Sequence, residues 1–250
     1  MPDRTRDALL ALWLLPVVRS LSWAATSTVA PTDSRVQAPG CEAVLFDLDG
    51  TLIDSIPLIR DSFVHAFAAL DLPLPPESQI ARAMGIPLRS FFADLNLDEV
   101  TATRLTEAYR QHNLAHHDSS VKAFPGVVDL VGAVRARGLR TGLVTSKNRA
   151  GAERGLRVVG LAGTMDAIVS CDDVARPKPD REPVDRAVRD LNVEPAATVF
   201  VGDSLHDLES GRAAGVRTAA ALWGPFSRSD LAVGSPTYWL ERPADLLALL

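Results

Sequence analysis

The chain has 250 residues, 47% of them hydrophobic and 23% charged, with 16 glycines and 17 prolines. These proportions exclude a collagen-like or low-complexity chain and argue against wholesale disorder. With 26 basic and 31 acidic residues the formal charge is −5, which offers no overall field for nucleic acid. The only cysteines, Cys41 and Cys171, make neither a disulfide framework nor a metal-binding spacing, and suit idle thiols in a reducing compartment.

Residues 8–18 (ALLALWLLPVV) form an apolar run behind Arg4 and Arg6. The run is too short to span a bilayer, which needs about 20 residues, but it has the length of a signal-peptide core. Asp3 and Asp7 dilute the basic residues before it, Arg19 follows directly, and Pro31 follows the cleavage candidate Ala30. Segment 1–39 is expected to be an extension outside the fold, with no stable membrane association. A cytoplasmic location follows, with export as the alternative if 1–30 acts as a signal peptide.

From residue 42 the pattern alternates. EAVLFD at 42–47 reads as a buried strand, and residues 56–70 carry apolar side chains at helical spacing (Ile59, Phe63, Phe67, Leu70). LPLPP at 72–76 breaks that helix, and the pattern stays helical from 77 to about 120, interrupted at 85–87 and 96–98. After the Pro125–Gly126 turn a helix runs to Arg137. Strands follow at 140–145, 167–170, 198–202 and 218–222, with a short one at 238–240. The helices between them cover about 150–159, 182–191 (with Asp180 as its cap) and a stretch ending at Gly215, and a helix over 244–250 closes the chain. Nearly all-apolar strands alternating with helices predict a parallel sheet covered on both faces. The expected fold is α/β, a Rossmann-like parallel sheet flanked by helices. Segments 40–55 and 123–250 form its core, and 56–122 forms a small helical module inserted after the first strand, over the strand ends.

In open α/β sheets ligands bind past the carboxyl ends of the strands. Four polar groups fall there: Asp47-Leu48-Asp49-Gly50-Thr51, Thr145-Ser146, Arg176-Pro177-Lys178-Pro179-Asp180, and Gly202-Asp203-Ser204 with Asp207. Each alone is a common turn or cap; their placement on successive strand ends points to one site. Carboxylates converging on a pocket repel unless a cation sits among them. Hard oxygen ligands of this kind suit Mg²⁺ together with a substrate phosphate. Hydroxyls at a helix start suit phosphate oxygens, and a lysine adds a point charge for the transferring group.

The string Leu45-Phe46-Asp47-Leu48-Asp49-Gly50-Thr51-Leu52-Ile53-Asp54-Ser55 resembles the first motif of the haloacid dehalogenase superfamily. Thr145-Ser146 resembles its second motif, Lys178 its third, and Gly202 to Asp207 its fourth. PKPDREPV and GDSLHDLESGRAAG look most like phosphoglycolate-phosphatase-like members and their pyrophosphatase relatives. The resemblance implies a hydrolase with an α-helical cap at 56–122. It implies that Asp47 is the nucleophile, Asp49 the general acid/base, Thr145 and Ser146 the phosphate-binding pair, and Lys178 the neutralising group, with Gly50 and Thr51 shaping the loop. It implies Mg²⁺ held by Asp47, Asp203 and the backbone carbonyl of Asp49, with Asp207 ligating through water or orienting a ligand. The carboxylate at Asp49 marks a phosphoryl enzyme rather than a dehalogenase.

The expected activity is Mg²⁺-dependent hydrolysis of a small phosphomonoester, phosphoglycolate-like, through an aspartyl-phosphate. Inorganic pyrophosphatase and a β-phosphoglucomutase-like mutase are the alternatives, and a non-catalytic binding module is a further one. The expected partner is a small phosphorylated metabolite, and the chain is expected to be a monomer or homodimer. His116 and His117 read as a solvated pair, Arg82 and Arg89 as solvated cap residues, and Trp223 and Trp239 as packing residues. Asp54 and Ser55 read as the start of the first cap helix, a segment that the resemblance places near the site. Lys147 reads equally as an exposed helix start or a substrate contact, and His206 chiefly as a variable position. Deletion of residues 1–39 is expected to leave turnover unchanged; a large drop, or an insoluble product, would show that the extension packs on the domain.

Overall fold

The computed structural model describes residues 40–250, without the side chains of Arg82 and Ala83. The N-terminal extension therefore lies outside the described residues.

Strand β1 (Ala43–Phe46) is followed by a two-residue strand β2 (Ile53–Asp54) and four helices: α1 (Ile56–Ala69), α2 (Glu77–Ala83), α3 (Leu88–Asp94) and α4 (Glu99–Ser120). Strand β3 (Lys122–Ala123) pairs antiparallel with β2. The alternation then resumes through α5 (Val127–Ala136), β4 (Arg140–Val144), α6 (Arg149–Val158), β5 (Ala167–Val169), α7 (Glu182–Leu191), β6 (Thr198–Gly202), α8 (Leu205–Ala214) and β7 (Arg217–Ala221). The short helix α9 (Arg228–Leu231) and strand β8 (Tyr238–Leu240) precede a closing 3₁₀ turn at Pro243–Ala248.

Six strands form one parallel sheet in the order β5-β4-β1-β6-β7-β8. Alternate residues of β1 serve opposite faces. Val44 and Phe46 pack with Leu130 and Val134 of α5 and Leu156 of α6. Ala43 and Leu45 pack with Val184, Ala187 and Leu191 of α7. All four β1 residues are buried, so the strand reads as a continuous apolar run rather than an alternating one.

The helical segment has its own apolar cluster. Phe63 and Phe67 of α1 meet Ile80, Phe91, Phe92 and Leu105, and the Phe63 and Phe91 rings stand edge to face with centroids 5.0 Å apart. The breaks expected near 85–87 and 96–98 are observed, and Asp98 caps α4 by accepting from Thr101 N at 2.9 Å. The sequence pattern did not show the β2–β3 pair, because two residues are too few for a period. It also did not show α9, and the closing segment is a 3₁₀ turn rather than an α-helix. Arg181, not Asp180, is the residue before α7, yet Asp180 Oδ1 still accepts from Glu182 N at 2.9 Å. Among the described residues no helix is long and apolar enough to cross a membrane.

Leu105 is fully buried in the helical cluster, so Leu105→Ala is expected to cost about 2–5 kcal/mol in urea denaturation. A loss well below about 1 kcal/mol would show that these helices do not share a close-packed interior.

Candidate active site

The sheet order places the carboxyl ends of β4, β1 and β6 side by side. Asp47 follows β1, Thr145 follows β4 and Asp203 follows β6, so three distant motifs meet without any long-range search by flexible loops. Backbone bonds carry the pairing past the strand ends: Asp47 N donates to Val201 O and Thr145 N to Val169 O, both at 2.9 Å.

The loop after β1 turns back on itself. Leu48 O accepts from Leu52 N and Ile53 N, each at 2.9 Å. Gly50 sits at φ +88°, and a Cβ there would lie 2.3 Å from Asp203 Oδ2. Glycine is thus required both by the left-handed backbone and by the approach of Asp203. Thr51 Oγ1 donates to Asp203 Oδ1 at 2.6 Å, and Trp223 Nε1 donates to Thr51 O at 2.9 Å.

Lys178 comes from the loop between β5 and α7 and is 2% exposed. Its Nζ donates to Asp47 Oδ1 at 2.7 Å, Asp207 Oδ1 at 2.6 Å and Val144 O at 3.2 Å. That uses all three ammonium protons. The loop is held from behind by Ser210 Oγ, which donates to Asp180 O at 2.6 Å. Asp207 Oδ2 accepts from Ser204 N and Ser204 Oγ, at 3.0 and 2.6 Å, at the start of α8. Both oxygens of Asp207 are therefore engaged, one fixing Lys178 and the other capping a helix.

Asp47, Asp203 and Asp207 offer carboxylate oxygens that all lie within 4.8 Å of one another, and all three residues are buried. Set against them is one ammonium, that of Lys178. Burial, with the repulsion of Asp207 and Asp47, pushes Asp203 well above the usual carboxylate range. Burial pushes Asp47 up to about 7 against the opposing pull of Lys178. The same carboxylates, overcoming burial, hold Lys178 firmly ionised. A buried all-oxygen set with excess negative charge fits a hard divalent cation such as Mg²⁺. The carboxylate of Asp49 is not in this cluster.

Asp49 Oδ1 instead accepts from Lys147 Nζ at 2.8 Å and Ser55 Oγ at 2.6 Å. Burial opposes its ionisation, but Lys147 and Ser55 outweigh burial and hold the carboxyl below its ordinary value. Thr145 is buried and its Oγ1 accepts from Lys147 N at 3.1 Å. Ser146 Oγ donates to Gly85 O of the helical segment at 2.6 Å, so its hydroxyl ties the helical segment to the core. Gly85 also lies over the fourth motif, where a Cβ would come 3.0 Å from Ser204 Oγ and 3.3 Å from His206 Nδ1.

A cavity of about 740 Å³ lies between sheet and helices, lined by Asp47, Asp49, Thr145 and Lys147 on one side and Tyr109 and His117 on the other. Three residues differ here in detail from the sequence reading. Lys147 is a direct partner of Asp49 rather than an exposed helix start. Ser55 precedes α1 but directs its hydroxyl to Asp49 instead of capping the helix. His117 is 1% exposed, not solvated, and only its neighbour His116 stays on the surface. The only signal for His117 was its spacing of eight residues from Tyr109 on one helix face. Arg89 is exposed and lines the same cavity, whereas the side chain of Arg82 lies outside the described set. Trp223 packs against the main core and Trp239 lies under Arg228, 4.4 Å from its ring centre.

The sequence pattern of the family described as "Haloacid dehalogenase-like hydrolase" matches residues 44–221. Pyrophosphatase PpaX of Oceanobacillus iheyensis is 37% identical over 207 residues, which cover 83% of this chain and 95% of that protein. Among solved structures, a putative phosphoglycolate phosphatase from Lactobacillus plantarum superposes with a TM-score of 0.73 at 27% identity, covering 84% of this chain and 99% of the other. CbbY of Rhodobacter sphaeroides in complex with phosphate gives a TM-score of 0.73 at 25% identity, with the same coverage.

Asp47 and Asp203 bind a proton more tightly folded than unfolded, so the buried cluster loses stability as pH rises from the ordinary carboxylate range to about 7. A bound cation removes that loss and competes with the protons. The excess of the thermal midpoint in Mg²⁺ over that in EDTA is expected to widen from about pH 5 to about pH 8. Equal midpoints at both pH values would show that no cation binds among these carboxylates.

Proposed function

This chain belongs to the haloacid dehalogenase-like hydrolases, and we propose that within them it is a Mg²⁺-dependent phosphatase acting on a small phosphorylated anion through phosphorylation of Asp47. The observation that carries this reading is the Lys178 ammonium held at 2.7 Å from Asp47 and 2.6 Å from Asp207 in a buried site. A lysine so fixed neutralises the carboxylate that must approach a phosphate dianion. Segment 56–122 serves as the cap that closes the cavity.

The Thr145 hydroxyl, at the end of β4, binds a non-bridging phosphate oxygen. A carboxylate oxygen of Asp47 attacks phosphorus, the bond from phosphorus to the leaving oxygen breaks, and an aspartyl-phosphate results. Asp49 protonates the leaving oxygen, then takes a proton from the water that attacks the aspartyl-phosphate, and orthophosphate leaves with Asp47 restored. In the arrangement seen, Lys147 holds Asp49 ionised, the state needed for the second step. The first step requires Asp49 to take up a proton from solvent, which becomes favourable when the Lys147 ammonium turns from Asp49 to an anionic oxygen of the substrate. Mg²⁺ held by Asp47, Asp203 and the Asp49 carbonyl would supply the charge that lets two anions meet. Asp207 positions Lys178.

A specific observation favours a second reading, hydrolysis of inorganic pyrophosphate. Lys147 places a cation beside Asp49, where the leaving group sits, and the relatives at 35–37% identity carry the name pyrophosphatase. Phosphate release from pyrophosphate, phosphoglycolate and an aryl phosphate, with and without Mg²⁺, separates the two. Asp47→Asn is expected to lose turnover by at least about 10³-fold with the fold intact by circular dichroism. Turnover retained in a clean preparation would remove Asp47 as the nucleophile.

A further inference from the structure

Helix α4 crosses the cavity with Tyr109, Asn113 and His117 at four-residue spacing, and all three belong to the cavity wall. The His117 ring is fixed from its far edge. Its Nδ1 lies 3.0 Å from Asp118 Oδ1, and Arg154 Nε of α6 donates to that same oxygen at 2.7 Å. A carboxylate already held by a guanidinium accepts, so Nδ1 carries the proton and Nε2 keeps a bare lone pair. Burial, opposed by Asp118, shifts the ring below the ordinary imidazole value, toward the neutral form.

Nε2 is buried and has no hydrogen-bond partner among the described residues. A buried acceptor without a donor is a standing cost that native structures rarely keep unless something arrives to meet it. The ring walls the same cavity as Asp49 and Lys147, the groups that serve the leaving oxygen.

We propose that His117 selects the leaving group: as substrate fills the cavity the atoms over Nε2, which is closed even to water in this structure, give way, and Nε2 accepts a hydrogen bond from an O–H that the leaving group carries. The favoured substrates are then phosphoric anhydrides whose leaving phosphate is protonated, or esters of hydroxylated alcohols. Substrates whose leaving group lacks such a donor gain nothing from the ring. This rests on the phosphatase reading above and adds to it a discrimination that Asp47, Lys178 and the cation cannot supply, since they meet only the transferred group.

The test is the preference ratio, kcat/KM on pyrophosphate or on glycerol 3-phosphate divided by kcat/KM on 4-nitrophenyl phosphate, whose leaving group has no donor. His117→Phe fills the volume without an acceptor and is expected to lower one of these ratios by about tenfold. Which ratio falls identifies a phosphate or a carbon-borne hydroxyl as the donor. His117→Gln, whose Oε1 accepts, is expected to recover most of it. Ratios within about twofold of wild type in His117→Phe, with both activities falling together or neither, would overturn the proposal. If His117→Phe does not fold, Asp118→Ala releases the ring from an exposed position and must move the same ratio in the same direction; an unmoved ratio overturns the proposal equally. Aryl phosphate hydrolysis that Asp47→Asn abolishes shows that the phosphatase reading stands whatever the ratio does, so the two failures are distinguishable.

Discussion

One ammonium among three buried carboxylates governs this molecule. Lys178 binds Asp47 and Asp207 with its protons, while Asp203 is left with a single hydroxyl donor from Thr51. Removing such charges from water is costly, and one lysine does not balance three acids. The imbalance is what makes the cluster a fit for a hard divalent cation. The rest of the core keeps these groups fixed: a parallel sheet buried on both faces, a glycine that lets Asp203 approach the first loop, and a helix cap that immobilises Asp207.

The helical segment supplies what the sheet cannot. Its own aromatic cluster makes it a packed unit, and the short β2–β3 pair joins its two connections to the core. It meets the strand-end motifs at the loop where Gly85 accepts from Ser146 and lies against Ser204 and His206, and through Leu58 of α1, which packs in one cluster with Leu48 and Leu52. The core gathers the strand-end carboxylates and Lys178, and helix α4 lines the opposite side of the same cavity.

Most of the site was legible because its residues are bound to their strands by chain order. Asp47, Thr145 and Asp203 each follow a recognisable apolar strand, and any parallel sheet collects such residues at one edge. Ser146 also follows its strand, and its hydroxyl reaches Gly85 of the helical segment. The Lys147–Asp49 pair and the burial of His117 were not legible, because each depends on an element remote in the chain. Lys147 meets Asp49 at a separation of 98 residues, and no periodicity reports on a contact of that kind. The burial of His117 beside the exposed His116 depends on which face of α4 turns inward, and a helix of mixed composition leaves that face to its neighbours.

The amino-acid sequence alone determined the strand–helix alternation, the helical insertion after the first strand and the four groups of polar residues at strand ends, since apolar periodicity and turn chemistry act over a few neighbouring residues. Tertiary structure alone decided the strand order and the partners of each charge: that Lys178 bridges Asp47 and Asp207, that Asp49 is bound by Lys147, and that one imidazole nitrogen of His117 is left buried without a donor among the described residues. Those outcomes depend on distances between segments remote in the chain, which arise only once the two faces of the sheet are covered and the helices have settled over its edge.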